Sequence, residues 1–239
     1  MSDRQCKVVL IGDGSVGKSS IIARFTADGF RQRYSQTIGV DFFEKRISLR
    51  GDVSCKLQLW DIGGQSIGSK MLAKYLFNAH VVLCIYDLTN QESLRNIEDW
   101  LAALRRVFLD SRTGIGKMPE TYIIGNKADL VRQRQVSDLD HAAFWREHGL
   151  MGGFLTSAQS GENVVTTLYG TAAHAVGVTL TPGELAVHQR CIGVNVPQGD
   201  GQSGSGRTAQ ADRIEAEDRA LEEAKRLAAE RKACSCAIA

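Results

Sequence analysis

No stretch of this sequence approaches the roughly 20 consecutive apolar residues that a membrane-crossing helix needs. The longest apolar runs, near 81–86, have the length of buried strands. If the protein sits on a membrane, a covalent group must hold it there. An excess of one charge is also missing, since 29 Lys+Arg stand against 27 Asp+Glu for a formal net charge of +2. That balance argues against a nucleic-acid-binding surface and makes any attraction to an anionic bilayer local. Cysteine is present without a framework: Cys6, Cys55, Cys84 and Cys191 are scattered. His80, His141, His148, His174 and His188 keep no ligand spacing with one another or with cysteines, so no structural metal site is read. The first residues, MSDRQCKVVLIG, lack a basic start, a long apolar stretch and a cleavage site. A cytosolic, reduced protein is expected, and there is no internal repeat.

At 239 residues and 43% apolar, the chain can bury one substantial core and still carry an extension. Apolar runs of strand length at 7–11, 42–49, 55–60, 81–86, 122–125 and 154–156 are separated by helical patterns at 18–27, 91–109, 137–148 and 162–176. Short buried strands alternating with helices predict an α/β, doubly wound, mostly parallel six-stranded sheet with helices on both faces. The pair 42–49 and 55–60, joined by Arg50-Gly51-Asp52, predicts an antiparallel hairpin at one edge. A domain over 1–177 is followed by a linker over 178–208, where Pro182, Pro197 and the run GDGQSGSG break regular pattern. Residues 209–233, rich in Ala, Glu, Arg and Leu, predict a helix of about 1.5 Å rise per residue. It reads as a solvated spacer, or alternatively as a short coiled coil or partner-binding helix, and 234–239 forms a lipidation motif.

The chemistry begins at Gly12-Asp13-Gly14-Ser15-Val16-Gly17-Lys18-Ser19, which matches G-x-x-x-x-G-K-[ST] after a strand and at the opening of a helix. In that setting backbone N–H groups cradle phosphates, Lys18 reaches the β- and γ-phosphates, and the Ser19 hydroxyl is a Mg²⁺ ligand. The phosphate contacts extend over Asp13 to Ser19 and on to Ser20. A phosphate loop alone fits ATPases, nucleotide kinases and GTPases, so base-reading residues must decide. Asn126-Lys127-Ala128-Asp129 follows a buried strand, at the end where open α/β sheets bind ligands. The Asp129 carboxylate accepts from guanine's N1–H and 2-amino group, whereas adenine would leave it facing a lone pair. A third element, Trp60-Asp61-Ile62-Gly63-Gly64-Gln65, supplies Asp61 for the metal, the Gly64 N–H for a γ-phosphate, and Gln65 to orient an attacking water. Thr37, in Gln36-Thr37-Ile38-Gly39, completes the metal shell.

On GDGSVGKS, TIGVDF, WDIGGQ, GNKAD and TSA at 156–158, the chain resembles a Ras-superfamily GTPase of the Rab type over about residues 5–177. The resemblance implies that Thr37 and its neighbours are switch I and that residues 63 to about 77 are switch II. It implies further that Phe30 covers one face of the guanine, Tyr34 closes over the phosphates, and Ser157 and Ala158 bring backbone N–H groups to guanine O6. Most Rabs read WDTAGQE; WDIGGQ, Asp41-Phe42-Phe43 and segment 68–75 resemble the divergent Rab twenty-eight branch. Gln159 stands where the family usually has Lys, which weakens a packing contact on the base.

Cys236-Ala237-Ile238-Ala239 fits C-a-a-X, with a terminal Ala typical of farnesylation. One lipid chain binds only marginally, so Lys225, Arg226, Arg231 and Lys232, or a second lipid on Cys234, would supply the further signal. The expected partners are GTP or GDP with Mg²⁺, an exchange factor, a GTPase-activating protein, effectors reading the switches, a prenyl-binding carrier and the cytoplasmic face of an intracellular membrane. The branch resemblance suggests an endosomal or ciliary one. No nucleic acid is expected, and the nucleotide-binding domain reads as a monomer. Two rivals stay open: a nucleotide-locked scaffold that hardly turns over, and a phosphate-loop ATPase or nucleotide kinase.

Overall fold

The computed structural model describes residues 2–27, 37–50, 53–69, 71–109, 117–181 and 183–184. Phe30, Tyr34, the linker beyond 184, the 209–233 segment, Cys234 and Cys236 lie outside the described residues. Six strands, β1 (Ser2–Ile11), β2 (Val40–Ser48), β3 (Val53–Ile62), β4 (Val81–Asp87), β5 (Glu120–Asn126) and β6 (Gly152–Leu155), form one sheet in the order β2-β3-β1-β4-β5-β6. Among the described strands only β2 runs antiparallel to its neighbour, from Val40 opposite Ile62 to Ser48 opposite Ser54. The predicted edge hairpin is therefore present. Pairing of β1 with β3 reaches from Ser2 opposite Val53 to Leu10 opposite Asp61. β1 is longer than its apolar run because its polar first residues still find ladder partners on β3.

Strand residues alternate between two apolar layers, as a sheet buried on both faces requires. Val8, Leu10, Leu83 and Ile85 meet α1 (Lys18–Ala27) and α6 (Val164–Ala175) through Ile21, Ile22, Phe25, Leu168 and Ala172. Val9, Ile11, Val82, Cys84 and Tyr86 meet the other face. There Tyr75 comes from α2 (Leu72–Leu76), Leu94 from α3 (Gln91–Arg95), Trp100 and Leu104 from α4 (Ile97–Leu109), and Phe144 from α5 (Asp138–Glu147).

Two helical details differ from the sequence reading. The pattern over 91–109 is two helices that turn at Asn96, whose side chain is drawn off to donate to Asp13 Oδ2 at 2.7 Å. α2 was not foreseen, because its five residues are too few to show a period. Beyond α6 the chain turns at Gly177 (φ 72°), and Val178 and Leu180 stay packed against the first apolar layer. With all strands but β2 pointing one way, the C-terminal ends of five strands share one edge of the sheet. Chain order reverses direction beside β1 there, the place where open α/β sheets bind ligands.

Candidate functional site

Leaving β1, the chain makes a loop that only glycine allows at two points. Gly12 has φ 136° and a Cβ there would lie 2.1 Å from the Ile85 carbonyl oxygen; Gly17 has φ 98° and would meet Asn126 Nδ2 at 2.3 Å. Between them Ser15 holds φ 65°, a left-handed conformation costly for a side-chain-bearing residue. Lys18 opens α1, and its ammonium donates back to the Gly12 and Asp13 carbonyls at 2.7 and 2.6 Å. Burial pulls its pKa down to about 8, against the charges of Asp61 and Asp13. The Asp13 carboxylate itself points away, receiving the Asn96 amide and Trp100 Nε1 at 2.7 and 3.1 Å.

Asp61 lies near the end of β3, in register with Leu10 and Asp41, and is fully buried. Two hydroxyls gather at it. Ser19 Oγ donates a short hydrogen bond to Oδ2, Thr37 Oγ1 donates to the same oxygen at 3.3 Å, and the two hydroxyls are 3.0 Å apart. Burial raises the Asp61 pKa to about 6, and the other oxygen, Oδ1, is buried with no hydrogen-bond partner among the described residues. A buried carboxylate with a bare oxygen beside two hydroxyls is an all-oxygen donor set, which suits a small hard cation such as Mg²⁺. The residues therefore fit the metal that the motif implies.

The segment expected to be switch II passes Gly63 and continues into the 3-10 turn Gly64–Gly68. Gly63 donates its N–H to the Gly39 carbonyl at 2.9 Å, and a Cβ on it would lie 2.5 Å from the Thr37 carbonyl oxygen. A Cβ on Gly64 would meet Gly14 N at 2.3 Å and the Asp13 carbonyl carbon at 2.6 Å. Both glycines thus let the Thr37 segment, the Gly63–Gly64 turn and the phosphate loop touch backbone to backbone. Gln65 follows directly and is exposed.

On the other side of the loop, Asn126 at the end of β5 links the two halves of the site. Its Nδ2 donates to the Val16 carbonyl at 2.9 Å, while its Oδ1 accepts from Ala158 N–H at 3.1 Å and Thr156 Oγ1 at 3.4 Å. Lys127 adopts φ 68° and its ammonium pairs with Asp87 Oδ2 at 2.7 Å. Ser157 Oγ donates to Asp129 Oδ1, which orients that carboxylate. The residues expected at the phosphates, metal and base thus gather on one edge wherever they are described, except that the carboxylate of Asp13 faces Asn96 and Trp100. Sequence reasoning missed Asp87, Asn96, Trp100 and Arg24, which hold the motif residues from distant parts of the chain. The signal for Asp87 was its place at the C-terminal end of a parallel strand; the others carried none.

A phosphate cradle, a hydroxyl–carboxylate metal shell and an Asn-Lys-x-Asp turn on neighbouring strand ends define a guanine-nucleotide-binding α/β domain. Residues 7–176 match the Ras family, and the chain belongs to it as a Rab-type small GTPase, an enzyme that hydrolyses GTP. The chain is 38% identical over 183 residues to the Ras-related protein Rab-28 of Caenorhabditis elegans, covering 77% of this chain and 72% of that one. It is 35% identical over 162 residues to Ras-related protein Rab-13 of Canis lupus familiaris, covering 68% of this chain and 75% of the relative. Rab-13 of Bos taurus matches with the same identity and coverage.

Proposed function

We propose that the protein is a membrane-anchored switch in intracellular trafficking that binds GTP and GDP and hydrolyses GTP slowly by itself. The observation that carries this reading is the meeting of Lys18, Ser19, Thr37 and Asp61 beside a loop that Asn126 ties to the base-reading turn. Ser19, Thr37 and Asp61 would hold Mg²⁺, which when bound neutralises charge on the β- and γ-phosphates. Backbone N–H groups over Asp13 to Ser20 and the Lys18 ammonium bind the phosphates. Gln65 orients a water in line with the γ-phosphorus; the new P–O bond forms as the bond to the bridging oxygen breaks, leaving GDP and inorganic phosphate. Asp129, Asn126, Lys127, Phe30, Ser157 and Ala158 bind the guanine, and Tyr34 closes over the phosphates.

Unaided turnover on the order of 10⁻⁴ s⁻¹ is expected, as in Ras, with a partner's arginine raising it about 10⁵-fold. Gly14 leaves room for that arginine. Contacts of Thr37 and Gly64 with the γ-phosphate would order the switches, and effectors would read that order. A lipid on Cys236, with Cys234 or the basic tail as second signal, would hold the protein on the cytoplasmic face of an endosomal or ciliary membrane. A prenyl-binding carrier would move it between membranes.

Purified protein with Mg²⁺ is expected to bind GTP and GDP far more tightly than ATP and ADP; equal affinities in a competition titration sink the reading. Gln65→Leu is expected to bind GTP normally and lose partner-stimulated hydrolysis. Cys236→Ser is expected in the soluble fraction, and unchanged pelleting with membranes rules out the anchor.

A further inference from the structure

Arg24 stands on α1, the helix that carries Lys18 and Ser19 at its first turn. Its Nε donates to the Ala158 carbonyl at 2.9 Å, and its Nη2 donates to the next carbonyl, that of Gln159. The aliphatic stem runs along the same turn, since a Cβ on Gly161 would lie 3.5 Å from Arg24 Cδ. A planar guanidinium is the side chain that can serve two successive carbonyls from one rigid fork; an ammonium would reach only one in good geometry. Across the turn, Ala158 N–H faces Asn126 Oδ1. The turn is therefore gripped twice, by Asn126 at the end of β5, which also holds the Val16 carbonyl of the phosphate loop, and by Arg24 in the last turn of α1. One straight helix thus sets the distance between the groups that bind phosphates and the turn that reads the base.

We propose that Arg24 is a positioning residue for guanine's 6-oxo group: by holding the Ala158 and Gln159 carbonyls from α1 it fixes where the turn stands relative to the phosphate loop, so that the Ala158 N–H, which rests on Asn126 Oδ1, can be handed to that oxygen when the base arrives. This rests on the guanine-binding role given above to Ala158 and Asp129. It differs from a purely packing role in being specific to one edge of the base. The fork holds the carbonyl of Ala158 itself, whereas the Asp129 carboxylate stands on the preceding Asn126-Lys127-Ala128-Asp129 turn and is reached only through Ser157 Oγ.

The test measures release of GDP, 6-thio-GDP and inosine diphosphate from the full chain, for the native protein, Arg24→Ala and Arg24→Lys. In 6-thio-GDP the oxygen is replaced by a poorer acceptor; inosine diphosphate lacks only the 2-amino group that Asp129 reads. Arg24→Ala is expected to release GDP on the order of tenfold faster, the worth of one or two hydrogen bonds. Its 6-thio-GDP/GDP ratio is expected to shrink toward one while the inosine ratio keeps its native value. Arg24→Lys is expected to lie between, and carries the same comparison if Arg24→Ala does not fold. Native release rates in Arg24→Lys, or two ratios that move together, overturn the proposal. A native protein that ignores both base changes overturns the underlying base-reading assignment instead.

Discussion

Single side chains in this fold set both stability and site geometry. His141 is buried beneath Tyr86, its Nδ1 3.0 Å from the tyrosine oxygen, and burial lowers its pKa to about 4. Above pH about 6.5 the ring is neutral whether the chain is folded or not. Below that, only the unfolded chain takes up the proton, so native stability falls as pH drops from about 6.5 to about 4, by at most about 1.4 kcal/mol per unit. His141→Gln is expected to lack that component when denaturant midpoints are compared across the range; an unchanged pH slope would falsify the assignment. Asp87 acts at the site itself: Asp87→Asn removes the partner of Lys127 and is expected to weaken GDP binding about tenfold by titration. Lys18, Asp61, Asn126 and Asp129 were legible because their spacing along the chain is itself the motif. Asn96, Trp100 and Arg24 were not, because each works on a motif residue through a contact that exists only once the sheet is assembled.

Among the elements, the 3-10 turn of switch II is the one whose position matters most. Its first residue has room for no side chain, since a Cβ on Gly64 would lie within 2.6 Å of phosphate-loop backbone. Gly64→Ala must push the turn away from Gly14 and take Gln65 with it. GDP binding is expected to survive while single-turnover GTP hydrolysis falls on the order of 100-fold, the usual consequence of a misplacement near 1 Å. Native hydrolysis in that variant would mean that the turn reaches the γ-phosphate by another route. Gly63→Ala crowds the Thr37 carbonyl instead, and is expected to weaken the Mg²⁺ dependence of GTP binding while GDP binding changes little. WDIGGQ is visible as a departure in the sequence, but its meaning is not: Gly63 has ordinary extended dihedrals (φ −57°, ψ 136°), and only the approaching Thr37 carbonyl requires glycine there. The strands were legible as apolar runs, and their extra polar residues were not, because ladder pairing depends on the neighbouring strand.

At the scale of the whole molecule, the site draws on segments from Gly12 to Ala158, and the Asn126 amide bonds to Val16 across 110 positions of the chain. Asn126→Ala should therefore separate the phosphate loop from the base-reading turn. It is expected to lose nucleotide affinity and, with it, the thermal stabilisation that bound GDP confers. An unchanged shift of the melting temperature on adding GDP would argue that the two halves are coupled elsewhere. The same long-range tie bears on synthesis. A chain growing on the ribosome completes its phosphate loop early, yet Asn126 and the 156–158 turn emerge long afterwards. Until they do, the nascent protein lacks the groups that tell guanine from other bases, so selective loading must wait until the last strand has joined the sheet.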